Sequence, residues 1–381
     1  MKIKFNVNDI LPQVTQVASV VNPKATIQIL ADIILKSYKD KNGDVCLMAT
    51  ASDNETFVSM KAPLLQDSDD DFAIAINAKD FVSTLRNLSG HTVAIETKEN
   101  QTCVGKYANG HFSMPYDIAD DFPIPSITGE QKEILINAQR LLNAIASTEY
   151  ASATDELRPI MNGVHFDFTE NGMVVVATDG MKLSKYTDTT IKASNSDDVS
   201  GLTLPSKPAH IMTLLLAKRE GEVKLAYNSM NVVLSCADFR VIARVQEGRY
   251  PNYNSVIPKN NSISAIVKRE ELVGALSRVM PMGNNASELV ALTFDNGVLT
   301  INAEDIDYSK SATEKISCEY EGQNFAIGFK GSTLMSVACK IANEYILFKM
   351  EEPSRAALAL PKTQGDDVEY MSLLMPMLLT V

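Results

Sequence analysis

Four histidines (His91, His111, His165 and His210) and five cysteines (Cys46, Cys103, Cys236, Cys318 and Cys339) are the side chains of this sequence suited to metal binding or to base and nucleophile chemistry. Their spacing argues against both. No two cysteines form a CxxC pair, and an odd number leaves one over. Free thiols in a reducing compartment are therefore favoured over a zinc site or a disulfide framework. The histidines stand alone, with no HExxH or other paired spacing, and read as structural. There is no GxxxxGK[ST] phosphate loop, no GxGxxG after a strand and no GxSxG nucleophile elbow. The acidic runs Asp69-Asp70-Asp71 and Asp120-Asp121 lie in polar surroundings and read as solvated loops. No catalytic residue, metal or cofactor is assigned, and the sequence reads as a binding protein rather than an enzyme.

The remaining chemistry is that of cations meeting phosphates. A basic set lies on segments with helical periodicity: Lys79, Arg86, Arg140, Lys207, Lys218, Arg219, Arg278 and Lys340, with Lys24 after the first of them. Singly, each is ordinary solvent-facing charge. Together, on equivalent helices facing one way, they would meet a phosphate backbone without reading bases. The formal net charge of −12 opposes a general nucleic-acid affinity. Net charge does not say where charges sit, however, and an acidic protein with one basic surface remains possible.

The elements that must position these residues repeat. A short alternating strand runs into an amphipathic helix at Lys4–Leu11, Glu133–Leu142 and Ala265–Val273. With Val7, Ile136 and Val267 taken as equivalent, the period is about 130 residues. A second strand-to-helix junction recurs from Ala73, Leu202 and Phe325. Aligning Ile76, Leu204 and Phe329 puts Lys79 and Lys207 at one position. Asn42-Gly43, Asn171-Gly172 and Asn296-Gly297 each separate two alternating runs, the strongest short signal for a tight hairpin. The strand after each turn ends in Asp53, Asp179 or Asp305. Three kinds of element recurring in one order predict three copies of one α+β domain, each with two helices packed on β-sheets. Pro-rich connectors at Asp121–Ser126 and Tyr250–Lys259 set the boundaries, giving domains over 1–125, 130–252 and 259–381.

A chain of 381 residues accommodates two or three domains, and 45% hydrophobic with 22% charged residues is the balance of a globular protein. The apolar runs fall short of the ~20 residues needed to span a membrane. The start, MKIKFNVNDI, lacks the apolar core of a signal peptide, so the expected location is cytoplasmic.

Ala177-Thr178-Asp179-Gly180-Met181-Lys182-Leu183-Ser184 resembles the ATDGHRLA signature of the middle domain of bacterial beta clamps, the beta subunits of DNA polymerase III. Glu247–Tyr253 with Val256-Ile257-Pro258 is similar to that family's EGRFPDY…VLP connector, and Met375-Pro376-Met377 to its terminal MPM. Pro23–Thr26 with Ile29-Leu30, and Arg158–Gly163, resemble the family as well, so the likeness runs the whole chain in order.

The resemblance implies a three-domain protomer and a head-to-tail homodimer, forming a six-domain ring lined by helices. It implies a non-enzymatic sliding clamp that encircles double-stranded DNA without sequence preference. Its partners would be the DNA polymerase III alpha subunit, the clamp loader that opens the ring, other polymerases and repair proteins. On this resemblance Lys24, Lys79, Arg86, Arg140, Lys207 and Arg278 would face DNA. Phe112 and Met114 would meet Met280 and Met282 across the ring interface. A groove for short partner peptides would be walled by Arg158, Met161, Thr178, Gly180, Met181, Lys182, Leu183, Pro251, Ser255, Val256, Leu373, Leu374, Met375, Pro376 and Met377. Leu183 and Val256 would form its floor. Methionine suits such a surface, being unbranched and polarizable. From the residues alone, Leu373–Met377 also reads as a final core strand, a reading that Pro376 weakens.

Three positions depart from the family pattern. Met181 replaces the usual histidine, Ser255 an arginine, and Leu378-Leu379-Thr380-Val381 extend past the MPM. The first two changes take polar or cationic groups from the pocket rim, which implies an altered peptide preference. Two other classes of function remain on the sequence: a multidomain β-rich scaffold without a DNA role, and an enzyme such as a hydrolase, which needs a convergent acid, base and nucleophile.

Overall fold

The computed structural model describes residues 1–66, 68–155, 157–192 and 200–379. Six α-helices occur among them: α1 (Val7–Ala18), α2 (Ala78–Asn87), α3 (Ala138–Ala146), α4 (Ser206–Leu216), α5 (Arg269–Val279) and α6 (Gly331–Lys340). Helices α1, α3 and α5 each follow a strand directly, and their first residues, Val7, Ala138 and Arg269, are 131 apart at each step. The equivalent positions in the preceding strands are therefore Phe5, Ile136 and Val267, all buried, rather than Val7, Ile136 and Val267. The expected register was two residues out in the first copy. Val7 is itself buried at the start of α1, so the alternation of Phe5 and Val7 runs unbroken past the end of the strand. The second junction has the expected register: Ile76, Leu204 and Phe329 each stand two residues before the start of α2, α4 and α6, and all are buried.

Each repeat builds two four-stranded antiparallel groups. In the first, one group runs Ala73–Asn77, Asp32–Lys39, Val45–Ser52, Thr56–Pro63 in spatial order, and the other Lys2–Asn6, Thr92–Lys98, Thr102–Tyr107, Gly110–Pro115. The second and third repeats copy both orders. Groups from successive repeats then fuse edge to edge. Thr56–Pro63 pairs with Phe239–Arg244, placing Phe57 opposite Ile242, to make an eight-stranded sheet. Lys182–Asp188 pairs with Val368–Leu374, placing Leu183 opposite Leu373, within a twelve-stranded sheet.

Because sheets cross the repeat boundaries, the compact units do not coincide with the repeats. One comprises 1–142 with 207–245, the other 143–206 with 246–381. In the first unit, α1 turns Val7, Ile10, Val14 and Val17 inward, the i, i+3, i+7 stripe of a half-buried helix, and packs on α2 and on Thr56–Pro63. In the second, α5 buries Leu272, Ala275, Leu276 and Val279 against α6 and the strand Lys310–Glu319.

Of the three Asn-Gly pairs, only Asn296-Gly297 forms the expected two-residue turn, with φ of +45° and +79° between Leu289–Asp295 and Val298–Asp305. Gly172 instead opens its strand, opposite Thr169, so Glu170 and Asn171 make the turn. At Asn42-Gly43 the loop spans Asp40–Asp44, and the Asp40 carboxylate accepts from the backbone N–H groups of Asn42 and Asp44. That side chain selects a longer turn than the dipeptide alone would.

Candidate functional site

The fused strands of the second unit carry an apolar surface on one face. Strand pairing puts His165, Asp167, Val174, Val176, Thr178, Leu183, Lys185, Met371 and Leu373 on that face, since directly opposed residues point the same way. Val174, Val176, Leu183, Leu358 and Leu373 form a buried cluster with Tyr250 and Tyr253 of the connector, and Ile160, Ile257 and Met371 pack against it. The rim is exposed: Met181 by 48%, Val256 by 56% and Met375 by 38%. Arg158 stands at one side, donating to the Asp155 carboxylate and to the carbonyl of Asp179.

Two turns fix this rim. The Asp179 carboxylate accepts from the N–H groups of Met181 and Lys182 and pairs with the Lys182 ammonium. Gly180 takes φ +89°, and a Cβ there would sit 3.2 Å from Nη1 of Arg158. The chain end is tied on both sides of Pro376: the Met375 N–H donates to the carbonyl of Met181, and the Met377 N–H to that of Gly328.

Many of the residues expected to line a groove lie on or around this surface, and three are placed differently from the expectation. Val256 is rim rather than floor. Leu374 is fully buried opposite Lys182, one residue out of phase with Leu373, and so lies on the other face of its strand. Met161 is buried and is not among the side chains of this cluster. Pro251 and Ser255 are exposed on the connector. Sequence reading took His165 as structural and gave Asp167, Tyr250 and Tyr253 no part in the site. The signal was there in the alternation of Val164, Phe166 and Phe168, which leaves His165 and Asp167 together on the opposite face.

His165 also completes a chain resembling a hydrolytic relay. Its Nε2 lies 3.2 Å from the Asp167 carboxylate and its Nδ1 3.0 Å from Thr203 Oγ1. A carboxylate only accepts, so Nε2 carries the proton, and in the neutral ring Nδ1 accepts from the threonine. Thr203 is 3% exposed within its strand, leaving no approach for a substrate to its hydroxyl. Among the described residues no group of three or more His, Cys, Asp or Glu side chains could hold a metal ion.

The basic residues divide into two groups. Lys24, Lys79 and Arg86 are exposed and have no ion-pair partner among the described residues. Lys207 is held by the Asp53 carboxylate at 2.5 Å and by the carbonyl of Val20 at 2.6 Å. Arg278 makes two hydrogen bonds to Glu314, and Lys340 donates to the carbonyl of Ala146. Arg140 is partly buried on α3.

Phe112 and Met114 alternate on Gly110–Pro115, the outermost strand of its sheet. The Phe112 ring lies on Gly105, where a Cβ would come within 2.0 Å of it. Met280 and Met282 occupy a single turn after α5, and Met280 lines a cleft of about 480 Å³ with Pro281, Leu289, Val290, Ala303 and Met335.

Three tandem α+β repeats, fused through their sheets and each carrying two helices, define a clamp fold. Models of the DNA polymerase III beta subunit match it throughout: the N-terminal domain over residues 1–126, the central domain over 135–252 and the C-terminal domain over 254–377. The chain belongs to the DNA polymerase III beta subunit family. A beta sliding clamp of Pseudomonas aeruginosa is 25% identical over 362 residues, 95% of each chain. One of Staphylococcus aureus is 22% identical over 370 residues, 94% of each. The crystal structure of a Pseudomonas aeruginosa DnaN sliding clamp bound to griselimycin matches with a TM-score of 0.89 at 25% identity, covering 100% of both chains. The Thermotoga maritima beta subunit shares the fold, with a TM-score of 0.87 at 20% identity and 100% coverage of both chains.

Proposed function

We infer that the protein works as a DNA sliding clamp, a processivity factor and not an enzyme. It encircles duplex DNA as a head-to-tail homodimer and tethers polymerase III through its alpha subunit, along with the clamp loader, other polymerases and repair proteins. It acts in the cytoplasm, and no described helix is long and apolar enough to cross a membrane. Its domains are 1–125, 130–252 and 259–381.

The observation that carries this reading is the pairing of repeats. Thr56–Pro63 takes the last strand of the second repeat, and Lys182–Asp188 takes the last strand of the third. Among the described strands two lack this inter-repeat partner: Gly110–Pro115, the last strand of the first repeat, and Lys310–Glu319, the third repeat's equivalent of Thr56–Pro63 and Lys182–Asp188, which meets a strand on its outer side only at Cys318 and Glu319. Unpaired edges are costly unless covered. A second copy joined head to tail satisfies both edges in both chains and closes, as a heterologous contact does when its rotation closes. Phe112 and Met114 would then meet the partner's Met280 and Met282, with the cleft beside Met280 receiving the partner's Phe112. Lys24, Lys79, Arg86, Arg140, Lys207 and Arg278 would face the DNA, with Lys207 and Arg278 held in place by their carboxylate partners. The surface around Leu183 and Leu373, rimmed by Arg158, Met181, Val256 and Met375, would take partner peptides.

Retention is then topological and needs no tight contact. Protein loaded by a clamp loader onto nicked circular DNA should stay bound through gel filtration and be lost once the circle is linearised. Equal loss from both forms would reject the clamp.

A further inference from the structure

The connector Tyr250–Ile257 lies across the same sheet face as the proposed groove, and side chains of that face hold it there. The Tyr253 hydroxyl donates to Asp167 Oδ2 at 2.7 Å. The His165 ring stacks on Tyr250 with centroids 4.5 Å apart and planes 6° from parallel, while its Nε2 bonds the other oxygen of Asp167. The Tyr250 hydroxyl in turn accepts from the backbone N–H of Thr178, at the root of the turn that carries Gly180 and Met181. Lys185 lies 5.9 Å from the centroid of the Tyr253 ring. Burial opposes ionisation of Asp167, yet the hydrogen bonds from His165 and Tyr253 outweigh it and hold the carboxyl below its usual range. The site is built closely: a Cβ on Gly201, opposite Asp167, would come within 2.9 Å of Oδ1 and 3.0 Å of the His165 ring.

We propose that His165 and Asp167 are positioning residues of the partner groove: they fix the connector so that Pro251, Ser255 and Val256 stand at the right distance from Met181 and Met375. Both stand on the groove's sheet face but meet the connector rather than the exposed rim. Asp167 orients the ring of Tyr253, His165 orients that of Tyr250, and Tyr250 ties the connector to the Thr178 turn. One side-chain network thus sets the two walls relative to each other. A peptide of small contact area depends on walls already in place, because ordering them on binding would be subtracted from its affinity.

This inference rests on the groove reading above, and the experiment separates the two. Asp167→Val, Asp167→Asn, Tyr253→Phe and the pair Asp167→Val/Tyr253→Phe are made in the full chain. Binding of labelled DNA polymerase III alpha subunit is followed by anisotropy, backbone exchange over 248–257 by hydrogen–deuterium mass spectrometry, and dimer mass and thermal midpoint serve as controls. Asp167→Val and Tyr253→Phe should each weaken binding by about tenfold, the double variant by little more than either alone, and the connector should exchange faster. Asp167→Asn keeps an acceptor for the tyrosine and should recover most of the affinity, which a general loss of stability would not allow. An unchanged connector, or a loosened connector with unchanged alpha-subunit affinity, overturns the inference while leaving the groove. Failure of the wild type itself to bind the alpha subunit overturns both.

Discussion

At Asp32, burial and the neighbouring carboxylate of Asp117 act in the same direction, raising its pKa from 3.8 to about 6. The folded state therefore binds this proton more tightly than the unfolded chain does. Its contribution to stability is full below about pH 4 and is lost as the pH rises through about 6. Asp32→Asn removes the buried charge at neutral pH, so its thermal midpoint should exceed that of wild type at pH 7.5, with the gain shrinking towards pH 4. Equal midpoints at pH 7.5 would show that Asp32 is already solvated or paired. None of this was legible in the sequence, where Asp32 is one acidic residue among many; its partner lies 85 positions away and is brought close by the Ala75–Asp117 bridge. Residues with a local signature fared better. Gly180 and Asp179 stood out in a short motif, and the turn they form depends on neighbours within three positions. His165 and Asp167 were visible as alternating polar positions, but their role depends on tyrosines more than 80 residues further on.

Periodicity carried the elements, and their limits were lost where two periods agree. The strand before α1 hands its alternation to a helix whose first residue is also buried, so Phe5 and Val7 cannot be told apart by pattern. Which strand edges stay open is not a local property, and the fusion of Lys182–Asp188 with Val368–Leu374 appears only once both have folded. Open edges lead to one prediction at this scale. Met282→Glu puts a charge on an exposed residue of the proposed interface, so it should leave a folded protein that sediments as a monomer near 41.6 kDa. An unchanged dimer would remove Met280 and Met282 from the interface. The chain end leads to another. Deleting Met375–Val381 removes one wall of the proposed groove, with its ties to Met181 and Gly328, and leaves Leu373 and Leu374 in their strand. A truncated hot spot costs about 2 kcal/mol or more, so alpha-subunit binding should fall by roughly 30-fold or more. Dimer mass should not change, since the two edges proposed to join the copies lie elsewhere in the chain. Full affinity in the truncated protein would place the groove away from the chain end.

At the scale of the whole molecule, the threefold repeat was the feature most fully legible, because strand-to-helix junctions recurring every 125 to 131 residues leave a periodic trace in any one sequence. How charge is distributed over the repeats was less so. A chain with net charge −12 repels a polyanion on average, so its contact with DNA rests on where its cations stand. Lys207 and Arg278 spend their charge on Asp53 and Glu314, which leaves Lys24, Lys79 and Arg86 as the exposed cations of the proposed set without such partners. These three should carry much of the salt dependence. Changing all three to Glu should lower the slope of log K against log salt by roughly 2 to 3 on short linear duplex, where no ring can be trapped, because each phosphate neutralised accounts for about 0.9 of slope. Binding should stay indifferent to base sequence before and after, since phosphate contacts carry no sequence information. Retention on closed circles should fall far less than affinity for linear duplex, for a closed ring is held by topology and not by contact. If the triple variant is lost from circles as fast as from linear DNA, these lysines and arginine act in closing the ring rather than in touching what passes through it.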